Sequence, residues 1–134
     1  MPTRTYSGHL KHLAAICDFV TEQAALAGLD EAQTYAVQLA VDEAATNIVE
    51  HAYGGEGRGS FSITCKVTAE GLKVVLKDGG APFDPSSVPE PVTGVPLEEL
   101  KSRGLGVFLI RQMMDEVTYQ FGPDGNKLTL FKRK

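Results

Sequence analysis

Cysteine is scarce in this chain, and so are the other features that would narrow its chemistry at once. Cys17 lies in a helical pattern and Cys65 in a strand pattern, with no C-x-x-C spacing between them. That leaves neither a disulfide framework nor a thiol redox motif, and both read as reduced packing residues of a cytosolic protein. The histidines, His9, His12 and His51, lack the cysteine or carboxylate company of a metal centre, which argues against a zinc site built from protein alone. No apolar run approaches about 18 residues and no charged-then-apolar leader opens the chain, so the expectation is a soluble, cytoplasmic protein with no membrane segment. Positive charge is not in excess either. Against 17 Asp and Glu stand 13 Lys and Arg, a net charge of −4 with no basic stripe legible in the sequence, which argues against a nucleic-acid surface. The one cationic cluster, Lys132-Arg133-Lys134, reads as a solvated tail.

What is present is the material of one ordinary domain. With 43% apolar and 22% charged residues, the composition indicates neither disorder nor a fibrous fold. A chain of 134 residues buries about two thirds of its unfolded surface in one core, so residues 1–134 are expected to form a single domain.

The most informative stretch is Gln38 to His51. At about 100° per residue, Val37, Val41, Ala44 and Ile48 form a continuous core-facing stripe. Glu43 and Asn47 make a row of their own, stepped one residue round from that stripe, and so should line the border of the core. An unpartnered polar group there costs on the order of 1–3 kcal/mol, so the site should supply water, backbone or a ligand. The plain alternative is a helix with two surface polar residues.

Around this helix the chain reads as follows. Thr3–Tyr6 is a candidate edge strand. From Ser7, an N-cap candidate, Leu10, Leu13, Ile16, Phe19, Val20, Ala24 and Ala27 recur at helical spacing until Gly28 stops them. Asp30 and Gln33 form a capping box, which opens the helix that runs to about Tyr53. Gly54 to Gly59 has the glycine spacing of a phosphate loop, but Ser60 stands where the lysine belongs and a strand follows, so a plain connection is the better reading. Phe61–Val67 and Leu72–Lys77 are strands joined by a tight turn at Ala69-Glu70-Gly71. Composition then changes, with five of the seven prolines between positions 82 and 96, as in a lid or binding loop; Leu97–Lys101 adds a helical turn. Arg103-Gly104-Leu105-Gly106 opens a third helix, Val107–Met114, apolar around most of its circumference. Glu116–Phe121 and Lys127–Lys132 form a hairpin about Gly122-Pro-Asp-Gly125. An antiparallel or mixed sheet covered on one face by helices accommodates this inventory, an α+β fold.

Three separated motifs, Glu43-x-x-x-Asn47, Asp78-x-Gly80-x-Pro-Phe83-Asp-Pro and Arg103-Gly104-Leu-Gly106, stand in one order with a lid-like segment before the last. Together they resemble the ATP site of the gyrase, heat-shock chaperone, histidine kinase and mismatch-repair (GHKL) ATPase superfamily, over essentially the whole chain. The Pro-Phe-Asp-Pro after the Asp-x-Gly and the Asn-Ile-Val-Glu-His-Ala-Tyr53 ending look most like the bacterial anti-sigma-factor serine/threonine-protein kinases. The resemblance implies a two-layer α/β sandwich of the Bergerat type, a mixed, mostly antiparallel sheet covered by helices on one face, with an ATP lid at about 84–103.

It also implies a division of labour. Asp78 would accept the exocyclic N–H of adenine, and Gly80 would let backbone approach the purine, with Phe83 beside it. Gly104, Leu105 and Gly106 would present backbone N–H groups and a helix start to the phosphates. Asn47 would give Mg2+ a neutral oxygen, Glu43 would act as the base toward the attacking hydroxyl, and Arg103 would stabilise charge on the transferring group. Thr129 would place a hydroxyl near the nucleotide. Each has a plainer reading: Asp78-Gly79-Gly80 as a strand-ending turn, Phe83 as core, Arg103 as a solvated charge, and Gly104-x-Gly106 as a dinucleotide fingerprint that Leu109 leaves incomplete. Thr46 and His51 read as structural.

The function so implied is an ATP-dependent serine kinase that phosphorylates a sulfate-transporter/anti-sigma-antagonist (STAS) type anti-anti-sigma partner and otherwise sequesters a sigma factor, acting as a homodimer. No histidine-bearing dimerisation helix precedes the site, against an autonomous sensor kinase. The alternative is a non-catalytic, nucleotide-dependent regulator-binding module of the same fold, against which the presence of Glu43 speaks.

Overall fold

The computed structural model describes residues 1–82, 84 and 105–134, the Leu105 side chain excepted. The elements are β1 (Thr3–Ser7), a 3-10 turn (Leu10–His12), α1 (Leu13–Leu26), α2 (Glu31–Asn47), a π-turn (Ile48–Ala52), β2 (Ser60–Val67), β3 (Gly71–Asp78), α3 (Leu105–Met113), β4 (Glu116–Gly122) and β5 (Gly125–Arg133). The strands make one sheet in the order β1-β2-β3-β5-β4, with every neighbouring pair antiparallel. β3 and β4 do run parallel, but the β4–β5 hairpin folds β5 between them, so the expected mixed character never becomes a parallel ladder among the described residues. The helices cover one face, with α2 packed between α1 and α3, which gives the anticipated two-layer α+β sandwich.

Period-two alternation decides which side of each strand is buried. Phe61, Ile63 and Cys65 of β2, Leu72, Val74 and Leu76 of β3, and Leu128 and Leu130 of β5 point into the helical layer. Ile16, Phe19, Val20 and Ala24 of α1 meet them from above, with Val37, Val41, Ala44 and Ile48 of the α2 stripe, Ile110 of α3 and Met114 just after it. Each fully buried Leu or Ile here stabilises the fold by about 1.5–3 kcal/mol. Small residues at Ala36, Ala40, Ala44 and Ala45 let α1 and α3 approach α2 on both flanks.

Local signals explain the helix ends. The Asp30–Gln33 capping box is formed in both directions, each bond 2.8 Å. Gly28, at φ +80°, ends α1 in a left-handed conformation that suits glycine. Ser7 is not the N-cap expected of it: it closes β1, and its hydroxyl bonds the His12 ring nitrogen at 2.9 Å, while His9 precedes the 3-10 turn that leads into α1. A short polar side chain next to a helix suits both roles, and the pairing of Ser7 with Ser60 settles it for the strand. α3 is less enclosed than its composition suggests. Val107 and Ile110 turn inward, whereas Phe108 is 40% exposed.

Charge divides between the two layers. α1 and α2 carry Asp18, Glu22, Glu31, Asp42 and Glu43 and neither lysine nor arginine. Among the described residues no helix is long and apolar enough to cross a membrane.

Cys65 is fully buried and Cys17 partly so, and both are free thiols. Burial pushes the Cys65 thiol up from 9.0 to about 12, so its ionised form is disfavoured in the fold. The unfolded chain can ionise this group above about pH 9 and the folded chain cannot, so this contribution lowers stability as pH rises through that range. At about pH 8 a thiol reagent should therefore titrate Cys17 alone in the native protein and both thiols in denaturant. Equal native reactivity of the two would contradict the buried placement of Cys65.

Candidate functional site

The burial of α2 positions the first motif. With Val41, Ala44 and Ile48 turned into the core, Glu43 and Asn47 are left half-buried at its rim, one helical turn apart. The first turn of α3 passes directly over them. A Cβ on Gly106 would stand 2.9 Å from Glu43 Oε2 and 3.5 Å from both polar atoms of the Asn47 carboxamide. Only glycine lets the α3 backbone come this close without moving the carboxylate.

The second motif ends β3. Asp78 Oδ1 accepts the Gly80 backbone N–H at 2.9 Å and the Asn126 side-chain N–H at 3.0 Å, and Oδ2 accepts no hydrogen bond among the described residues. Several groups pin the following loop. The Ala81 N–H donates to the Ala52 carbonyl at 2.8 Å, Asn126 also donates to the Ala81 carbonyl at 2.8 Å, and the Gly79 N–H donates to the Tyr53 hydroxyl at 2.9 Å. That hydroxyl in turn donates to the Ser60 carbonyl at 2.6 Å. The π-turn makes these contacts reachable, because it loosens the end of α2 just before Ala52 and Tyr53, with Tyr53 N–H bonded back to the Ile48 carbonyl at 3.0 Å. Gly80 is the other position where glycine is required: a Cβ there would meet the Ala52 carbonyl oxygen at 2.6 Å.

Asn47 and Asp78 line one cavity with Ala44, Leu76, Tyr119 and Asn126. Its volume is about 30 Å³, the share of one water molecule, so a purine enters only when a wall gives. Tyr119 is the bulkiest lining side chain. Burial raises its hydroxyl to about 12, against the opposing pull of the Arg111 guanidinium, which lies 5.8 Å from the ring centre.

Of the residues expected from sequence, Glu43, Asn47, Asp78, Gly80 and Gly106 come together. Phe83, Arg103 and Gly104, the Leu105 side chain, the Leu97–Lys101 turn and, apart from Asp84, the lid at 84–103 lie outside the described residues. Thr129 does not join the site. It alternates with Leu128 and Leu130, both buried against the helices, so its hydroxyl faces the other side of the sheet. Asn126, two residues before Leu128, lies on the helix-facing side of β5 and lines the cavity, as the same period-two count indicates. Tyr53, Tyr119 and Ala81 were also missed, and only the last two strands' alternation gave any signal for Tyr119. Thr46 bonds its own helix, donating to the Asp42 carbonyl at 2.9 Å, as a structural residue does.

Residues 6–132 match the family described as the histidine kinase-like ATPase domain, and the chain belongs to that family. It is similar to the serine-protein kinase RsbW of Halalkalibacterium halodurans, 38% identical over 85 residues that cover 60% of this chain and 51% of the relative. RsbW of Bacillus velezensis is 36% identical over 88 residues, covering 63% of this chain and 55% of that one. The matched regions thus span about half the length of these curated relatives. Among solved structures, the RsbU and RsbW domains of a Mycobacterium tuberculosis protein share the fold with a TM-score of 0.64 at 16% identity, over 99% of this chain and 32% of that chain. The histidine kinase domain of the Erythrobacter litoralis EL346 blue-light activated histidine kinase gives 0.60 at 17%, over 92% and 60%. The ATPase-domain family implies nucleotide binding.

Replacing Asn126 with Ala removes two donors from the Asp78 loop. The expected loss is about 1–3 kcal/mol of stability, together with a weaker thermal shift on adding ADP. Calorimetry of the variant with and without nucleotide checks both, and an unchanged shift would show that the latch does not serve the site.

Proposed function

We propose that the chain is an ATP-dependent serine kinase that phosphorylates a STAS-type anti-anti-sigma protein and otherwise sequesters a sigma factor. The observation that carries this reading is the meeting of Gly106 with Glu43 and Asn47, above a cavity that Asn47 shares with Asp78. Relatives bearing the name serine-protein kinase support the reaction type.

In this reading adenine enters beside Asp78, whose Oδ2 accepts the exocyclic N–H while Asn126 and Gly80 hold Oδ1. The phosphates lie toward the start of α3, where backbone N–H groups at Leu105 and Gly106 and the helix dipole favour negative charge, with Gly104 and Arg103 completing that end. The Asn47 side-chain oxygen would be the residue that holds Mg2+, and the ion would supply neutralisation of charge on the transferring group. Glu43 accepts the proton of the partner serine. The serine oxygen forms its bond to the γ-phosphorus as the bond to the bridging oxygen breaks, leaving ADP and a protonated Glu43. Phe83 packs at the purine and the segment 84–103 acts as the lid of a single domain. The protein works in the cytoplasm as a homodimer.

With a cognate STAS-type partner and Mg-ATP, the wild type should yield phosphoserine. Glu43→Ala should lower transfer by about 100-fold or more while nucleotide affinity stays within about threefold. Gly106→Ala, which displaces the flexible end of Glu43, should fall between the two. Retained nucleotide binding and partner capture with no transfer by the wild type would establish the non-catalytic module instead. Absence of any thermal shift with Mg-ADP would remove the nucleotide site altogether.

A further inference from the structure

The face of the sheet turned away from the helices has its own chemistry. Alternation places Lys66 of β2, Lys73 and Lys77 of β3 and Lys127 of β5 on it, although they are scattered along the chain. Register then brings them together in pairs, because Lys66 stands opposite Lys73 and Lys77 stands opposite Lys127. Like charges directly opposite one another destabilise a sheet. No carboxylate among the described residues pairs with any of these lysines, and the same strand faces contribute only Glu116. The arrangement costs the isolated chain stability and gains nothing within it.

The row through the second pair is continuous across all five strands: Thr5, Ser62, Lys77, Lys127 and Gln120 are register partners in turn. These five side chains line a groove of about 570 Å³ that the β4–β5 turn closes at one end, where Asp78 and Asp124 also border it. Two ammonium groups sit at its centre, flanked by hydroxyls and a carboxamide, all of which can donate hydrogen bonds to an anion. The strand face bears one half-buried aromatic ring, Phe131, with the Arg133 guanidinium 5.7 Å from its centre, and the exposed Phe121 borders the groove at the β4–β5 end. Single-stranded nucleic acid calls for several stacking platforms, and this face does not offer them. In a chain of net charge −4, a cationic patch confined to one sheet face is better matched by a protein than by a polyanion that would meet the acidic remainder.

We infer that this open sheet face is a docking surface for the carboxylate-rich surface of a partner protein, anchored in the groove between Lys77 and Lys127. The groove borders the nucleotide cavity, with which it shares Asp78 and Asn126, and the inference does not depend on the kinase reading. A second copy docked face to face would bring two lysine-bearing faces together, so charge disfavours a symmetric pairing through this face.

The test titrates the isotope-labelled chain with a glutamate-rich peptide, with an oligothymidylate of equal formal charge and phosphatidylserine vesicles in parallel. The peptide should shift amide resonances at Ser62, Lys77 and Lys127 and bind more weakly as salt rises. Lys77→Glu should weaken the peptide by about tenfold or more. The same substitution turns a repelling cross-strand pair into an attracting one, so the melting temperature should rise by about 1–5 °C. Lys11→Glu, remote from the face, should bind the peptide as wild type does, and ADP binding should survive in both variants. The inference is overturned if the peptide shifts nothing on this face, if Lys77→Glu binds it unchanged, or if oligothymidylate or vesicles bind more tightly than the peptide.

Discussion

The rotation of α2 about its own axis is the constraint on which the site depends. Val37, Val41, Ala44 and Ile48 must all be buried, and no other rotation buries them, so Glu43 and Asn47 have one place to go. The alanines on the flanks of the helix matter as much as the stripe. They let α3 lie close enough for its Gly106 backbone to touch two polar side chains that would otherwise be solvated. The packing that stabilises the fold thus also sets the distance between a carboxylate and the start of a helix, without any interaction devoted to that purpose.

The other wall of the cavity is held differently. Asp78 ends a strand, and a strand end is free to move unless something ties it. Here three ties come from two segments: the Ala52 carbonyl of the π-turn, the Tyr53 hydroxyl directly after it, and the Asn126 carboxamide from β5. Hydrogen bonding thus fixes one wall and hydrophobic burial the other. The narrow space between them is bounded in part by the Tyr119 ring, so the cavity can widen by moving one side chain while both walls stay in place.

Much of this is legible in the sequence. Helical and period-two spacing place α1, α2 and all five strands, and the capping box marks the start of α2 to the residue. Helical spacing puts Glu43 and Asn47 at the rim of the core, and the motif order singles out Asp78, Gly80 and Gly106, which the fold brings near them. The misses have physical reasons. Ser7 carries a side chain that suits a cap, but strand pairing with β2 claims it. Thr129 has its hydroxyl on the other face, and Asn126 falls between the Gly122–Gly125 turn and the strand read from Lys127, so no pattern claims it. Tyr53 closes a contact between distant segments that no local pattern encodes. The lysines read as scattered surface charge because their common face exists only once the register of three strands is known.

That register, set against the acidic helices, gives the molecule a field with direction. Carboxylates without lysine or arginine on α1 and α2 lie on one side of a thin sandwich, and lysines crowd the other. Physiological salt screens a charge within about 8–10 Å, so each outer side keeps a local potential of its own. An electronegative body approaching by diffusion is turned away by one broad side and drawn to the opposite one. Orientation is thereby biased before any atoms touch, and the chain presents itself to solution as a two-sided plate with unlike sides.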